Sequence, residues 1–188
     1  MITATFSIGF SYFETYQMQQ IRLMGTTADV GITNVTENQL VEISKSNLVL
    51  DVGIQQRLGS VDTEQLQNAR LGIVWIDDTE WEHHRLPTIS GVVGNYPSSK
   101  NEIMLPTWVL EQMGISDPQI GMEIVLSYQI GDSYNYVSDT FLLSGYYTDY
   151  IPMRTNNRGY VYVSSVFKDS LNVSLDNSVT AVSYTHLR

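Results

Sequence analysis

The chain contains no cysteine. Disulfides, thiol catalysis and thiolate metal sites are therefore excluded, while the compartment stays open. Cations are scarce too. Ten Lys and Arg face twenty Asp and Glu, for a formal charge of -10, and no stretch gathers the basic residues into a cluster. Nucleic-acid binding rests on neutralising phosphates, so this balance argues against it, and equally against lying flat on anionic lipid. A solvated acidic face is expected instead. No hydrophobic run reaches the roughly 20 residues that span a bilayer. There is no G-x-S-x-G elbow, and Gly25, Gly31 and Gly53 are too scattered for a phosphate loop. ATP hydrolysis by this chain alone is not expected. Internal repeats and low-complexity segments are missing as well.

What is present fits a folded protein. With 188 residues, 43% apolar and 16% charged, the chain suits one domain or two small lobes around a core. Its organising stretch is Gly91–Ile130. There Pro97 and Ser98-Ser99 break the chain, Glu102-Ile103-Met104-Leu105 reads as a strand, and Pro106 suits the first helical position. Gly114 suits a left-handed residue just past that helix, with Ile115 folding back onto it.

Elsewhere, Glu14–Gly25 continues helically out of an apolar start. Thr26–Thr33 alternates as a strand. Thr36 and Gln39 have capping-box spacing for a helix to about Ser46. Leu48–Leu58 reads as a strand with a bulge at Gly53, Asp62–Asn68 as a polar turn, and Leu71–Ile76 as a strand. In Met122–Ile130, Ile124, Leu126, Tyr128 and Ile130 share one face. Tyr136–Tyr147 returns as the second arm of a hairpin, with Phe141, Leu143 and Gly145 on one face. Pro152–Asn157 reads as a loop. Gly159–Ser164 is a strand, and Ser164 caps a short helix containing Val166, Phe167 and Leu171. Strands with interspersed short helices predict an α+β fold with a mixed, mostly antiparallel sheet.

Three sets of residues are candidates for chemistry. His83-His84 lies among Asp77, Asp78, Glu80 and Glu82, but adjacent helical residues point roughly 100° apart and cannot easily share one metal. No H-x-x-x-H pair exists, so a solvated acidic helix end is expected. Carboxylate pairs for sugar hydrolysis could draw on Glu102, Glu111, Asp139 and Asp149, yet nothing in the sequence sets two of them opposite each other. The tyrosines Tyr134, Tyr136, Tyr146, Tyr147, Tyr150, Tyr160 and Tyr162 could form a rim that holds a peptide or glycan. Tyrosine also favours half-buried strand positions, which is the reading preferred here. Asn34-Val35-Thr36 and Asn172-Val173-Ser174 match the glycosylation acceptor pattern, relevant only to a eukaryotic secretory protein. No catalytic residue, metal ligand or cofactor is assigned, and no enzymatic activity is expected.

Four blocks carry a resemblance. The first runs from Gly91 through Tyr96-Pro97, Asn101-Glu102-Ile103-Met104-Leu105-Pro106 and Gly114-Ile115 to Ile120-Gly121. The others are Gln19–Ala28, Phe141–Tyr147 and Gly159–Ser164. In this order and spacing they resemble the extracytoplasmic domain of FtsX/MacB-like ABC transporter permeases of the Gram-positive type, over residues 1–181. The resemblance implies that residues 1–25 are the end of a first transmembrane helix and a stalk. It implies a MacB-like core domain outside the cell membrane over 26–181. It further implies a separate ABC ATP-binding subunit, a second permease copy or homologue, and contact with the bilayer through flanking helices. The domain would couple the ATPase to transport or mechanical signalling. In keeping with this, Met1–Phe13 carries no charge before Glu14 and is apolar on all sides, as the outer half of a span would be. Residues 182–188 resemble an adapter-derived scar. The alternative function is a free extracellular module that binds peptide or glycan on the tyrosine-rich surface.

Overall fold

A computed structural model describes residues 2–131, 135–155, 157–171 and 177–183. Tyr134, Asn172-Val173-Ser174, His186 and most of the expected scar lie outside them.

The chain opens with helix α1, Ile2–Met24. Gly25, at φ +73°, ends it and donates its N–H to Ile21 at 2.8 Å. Tyr12, Phe13, Tyr16 and Met18 are exposed on it. No helix among the described residues is long and apolar enough to cross a membrane. The strands are β1 (Val30–Val35), β2 (Val49–Val61), β3 (Arg70–Ile76), β4 (Ser90–Gly94), β5 (Glu102–Pro106), β6 (Glu123–Ile130), β7 (Tyr136–Thr148), β8 (Arg158–Val163) and β9 (Asn177–Ser183). The further helices are α2 (Glu37–Ser44), α3 (Thr107–Gln112), α4 (Pro152–Thr155) and α5 (Ser165–Asp169). The fold is α+β, built on one mixed sheet of nine strands. Among the described residues only β3–β8 and β5–β7 pair in parallel.

The strand order is β1-β9-β2-β3-β8-β5-β7-β4, and β6 pairs with both β2 and β7. That second pairing closes β2, β3, β8, β5, β7 and β6 into a ring. After a bulge between Arg57 and Gly59 the last residues of β2 keep β3 on one side, with Gly59 opposite Ile73, and meet β6 on the other, with Gly59 opposite Ile130. Each strand of the ring gives one face to a single core. Leu58, Leu71, Ile73, Ile103, Leu126 and Leu143 are among its members, and α3 and α5 add Val109, Leu110 and Phe167. Tyr128, Phe141 and Phe167 meet there at 5.8–6.2 Å between ring centres.

The local signals are realised where chemistry sets them. Thr36 and Gln39 form the capping box of α2. Ser164 accepts the N–H of Phe167 at 3.1 Å and starts α5. Past α3, Gly114 takes φ +81°, and Ile115 donates to Leu110 O at 2.9 Å while Gly114 donates to Glu111 O at 3.0 Å. That is the two-bond C-terminal closure in which a Cβ would be strained.

Four local expectations change. Pro106 ends β5 and precedes the helix instead of opening it. Residues Pro152–Thr155 make a helical turn where a loop is expected. The strand expected from Thr26 begins only at Val30, because Thr27 is bonded to another element. Gly53 sits in regular register opposite Thr180, not in a bulge.

Candidate functional site

The opposite face of β3, β8 and β5 carries a smaller core of Val74, Ile76, Met104, Tyr147 and Tyr162, packed by Trp81, Ile89, Tyr96 and Tyr160. The end of α1 is fastened to the sheet beside this core. The fastening begins at Asp77. Its Oδ1 accepts the N–H of Glu80 at 2.8 Å and the N–H of Ile54 at 3.0 Å, so one carboxylate caps a helical segment and ties it to β2. Burial pushes the Asp77 carboxyl up, against the pull of those two bonds.

The segment that follows, Glu80–Arg85, is π-helical. Its wider winding puts residues i and i+5 on one side. Glu80 therefore has both His84 and Arg85 against it, with His84 Nδ1 at 2.9 Å from Oε2 and Arg85 Nε at 3.0 Å from Oε1. Thr180 of β9 donates its hydroxyl to the same Oε2. Exposure decides the character of this group: 0% for Glu80, 0% for His84 and 7% for Arg85. The expected solvated helix end is thus a buried charge cluster. Burial pushes the Glu80 carboxyl up. The His84 hydrogen bond, the Arg85 charge and the Thr180 hydroxyl outweigh that and hold it below the ordinary range.

Arg85 is the hub. Beyond Glu80 it donates to Gln55 Oε1 on β2 at 2.8 Å and to the carbonyl of Gly25 at the end of α1. Its guanidinium lies 5.0 Å from the ring centre of Tyr160. A planar five-donor fork meets such divergent partners as an ammonium does not. Thr27 adds two bonds, from its N–H to His84 O at 3.1 Å and from its hydroxyl to His83 O at 2.8 Å. Arg22 stacks over Tyr150 at 4.8 Å. Helix, π-helical segment, β2 and β9 are joined at one point.

His83 turns the other way, towards solvent, and pairs through Nδ1 with Asp51. The two histidines thus diverge as expected, although neither is a metal ligand in any group of three or more among the described residues. The Asp51 hydrogen bond and charge raise the His83 pKa above 6.5. A raised folded-state pKa gives a contribution that is full below about 6.5 and lost as pH rises through the folded value. His83→Gln should therefore separate from wild type in urea midpoint at pH 6 and converge with it by pH 8.5. A constant difference would rule out the ion pair as its cause.

Among the described residues most of the candidate tyrosines are built into the sheet. Tyr147 and Tyr162 are buried, and Tyr146, Tyr150 and Tyr160 are half-buried, leaving Tyr136 exposed. Trp81, Tyr96, Tyr147, Tyr160 and Tyr162 stack through one another at 5.1–6.2 Å. Burial raises the Tyr96, Tyr147 and Tyr162 hydroxyls well above the phenol range, so they stay neutral. The candidate carboxylates serve separate local roles. Glu102 accepts the N–H groups of Ser98 and Ser99 at 2.8 and 2.9 Å, Asp139 accepts the Tyr128 hydroxyl at 2.6 Å, and Asp149 accepts the N–H of Ile151 at 3.0 Å. Glu111 is exposed on α3.

The sheet also brings together cations that lie far apart along the sequence. Arg57 of β2, Arg70 of β3 and Arg158 of β8 converge, because those strands are neighbours in the sheet. They line a cleft of about 350 Å³ beside Leu23 and Met24 at the end of α1. A basic cluster exists after all, assembled from three distant segments. No protein-family model matches the chain, and no curated protein matches it either.

Proposed function

We propose that the chain is the extracytoplasmic domain of an ABC transporter permease similar to FtsX/MacB. In this reading α1 is the outer end of a first transmembrane helix and its stalk, and the sheet is a MacB-like core domain outside the cell membrane. A separate ATP-binding subunit supplies the energy, and a second permease copy or homologue completes the transporter. The observation that carries this reading is the joint of α1. A helix of 23 residues is clamped at its last turn to a buried charge cluster that also holds β2 and β9. Displacement of the helix would pass into the sheet there instead of being absorbed by a loose linker. The route of the chain supports it too. Asp29, just after α1, donates to Ala181 O at 3.0 Å, and Val30 pairs with Ala181. The first and last described strands, β1 and β9, are thus neighbours, as suits a domain inserted between two membrane helices.

The absence of cysteine makes the test clean. In cells carrying the gene with its natural flanks, a membrane-impermeant maleimide should label Lys45→Cys without lysis. The permease should also co-purify with an ATP-binding subunit. A proline inserted beside Gln19 should uncouple ATP hydrolysis from the outer domain while the sheet stays folded, because it breaks the helix ahead of its clamp. Labelling only after lysis, or full coupling with the proline in place, would refute the reading.

A further inference from the structure

We infer that Arg57, Arg70 and Arg158 form a binding site for a phosphoryl oxyanion at the root of α1. The argument starts from the pairing. Arg70 and Arg158 stand directly opposite each other in the parallel β3–β8 ladder, and Gly72 stands opposite Tyr160 two residues on. Registered partners share a face, so two guanidiniums start from adjacent points of one surface. Arg57 reaches the same surface from β2: its Nε lies 3.6 Å from where a Cβ on Gly72 would be. Like charges set opposite each other in a sheet are destabilising. In a chain with twice as many acids as bases, compensation would be simple. Yet the ion pairs among the described residues are His83–Asp51, His84–Glu80, Arg85–Glu80 and Lys168–Asp169, and none involves these three arginines.

The cleft has the shape for a ligand. Its floor is Gly72 and Gly159, its apolar wall is Leu23, Met24 and Ile151, and its volume is about 350 Å³. Guanidinium forks match the oxygens of carboxylate and phosphate. One fork satisfies a carboxylate; three converging forks call for a group with more oxygens and more charge, which a phosphate monoester, diester or pyrophosphate supplies. The source of that group can be a free anion or a lipid headgroup. The site goes beyond the permease reading and does not depend on it. If that reading holds, the cleft stands about 15 Å beyond Glu14 along α1, farther out than a headgroup layer of about 5–7 Å. Free or polymer-borne phosphate is then the expected source.

The experiment uses the 188-residue chain at low ionic strength. Inorganic pyrophosphate should raise the thermal midpoint over sodium chloride of equal ionic strength. Arg57→Gln, Arg70→Gln and Arg158→Gln should each weaken pyrophosphate binding about tenfold. The triple variant should lose the shift while keeping the wild-type circular dichroism spectrum. Without anion its midpoint should equal or exceed that of wild type, since repulsion is relieved. Lys45→Gln with Lys100→Gln, two cations away from the cleft, should bind as wild type does. A second arm compares vesicles of phosphatidylglycerol with vesicles of phosphatidylcholine, which also controls for the apolar helix. A preference for phosphatidylglycerol that the triple variant loses, with pyrophosphate inert, would support the site and make a lipid headgroup its source. No response in either arm, or a response that the triple variant retains, would overturn it.

Discussion

Arg85→Met should lower the free energy of unfolding by about 3–5 kcal/mol, the cost of leaving a buried charge without its partner. The residue lost joins Glu80, Gln55 and Gly25 through a single side chain. Glu80, at 0% exposure, would keep His84 and Thr180 but lose the cation beside it. Urea unfolding measures the loss. The amide of Thr27 measures the local consequence. It donates to His84 O and should exchange much faster in the variant than the amides of the β6–β7 hairpin, which sits in the other core. Arg85→Lys should recover little, because an ammonium has no planar fork to span three directions. Glu80→Leu combined with Arg85→Met should recover much of the stability, since the burial cost of both charges is then removed. A cost below about 1 kcal/mol for Arg85→Met would mean that the cluster does not hold the joint together.

The same cluster fixes an acid limit. The folded-state pKa of Glu80 is held below 4.5, so its contribution is present above about pH 4.5 and lost as pH falls through the folded value. Arg85→Met removes one cause of that depression and should move the onset of acid unfolding to higher pH. Asp77 and Asp149 act in the opposite sense. Burial raises both carboxyls, so their protonation relieves a penalty as pH falls. The acid limb of wild type is therefore shallower than Glu80 alone would make it.

How much of this was legible in the sequence follows from the range of each signal. Alternation along β6 placed Ile124, Leu126 and Tyr128 on the buried face, because a strand period is local. Capping at Thr36 and Ser164 and closure at Gly114 were legible for the same reason. The π-helical segment was not. Asp77-Asp78-Thr79-Glu80-Trp81-Glu82-His83-His84 has the composition of a solvated helix start, and only the i to i+5 winding separates inward Glu80, His84 and Arg85 from outward His83. Ring closure was not legible either, since it depends on where a bulge near Arg57 sends the end of β2. The arginine cleft follows from the order β2-β3-β8, which brings together residues 57, 70 and 158. Charge counted along the chain could not find it. For the tyrosines, strand propensity already favoured partly buried positions over a rim, and Tyr147 and Tyr162 lie in the core.

Two glycines in this sheet should respond to the same substitution in opposite ways. Gly31 of β1 and Gly53 of β2 both stand opposite Thr180 of β9, one on each side. The sequence sets Gly53 apart only as an expected bulge, which it is not. Around Gly31 nothing lies within 4 Å of a Cβ, whereas at Gly53 a Cβ would sit 2.5 Å from Glu80 Oε2 and 2.8 Å from Glu80 Cα. The π-helical segment rests on bare backbone at that point, and this is how Thr180 and Glu80 come into contact across the layer. Gly53→Val should cost about 3 kcal/mol, from overpacking and the displacement of a paired buried carboxylate. Gly31→Val should stay within about 0.5 kcal/mol of wild type or stabilise slightly, since valine suits a strand better than glycine does. Gly53→Ala discriminates further. The first carbon already meets backbone, so alanine should cost nearly as much as valine, and should raise Thr27 amide exchange as Arg85→Met does. If alanine were tolerated at Gly53, the segment could shift without loss, and the close seat of Glu80 on β2 would not be what fixes α1 to the sheet.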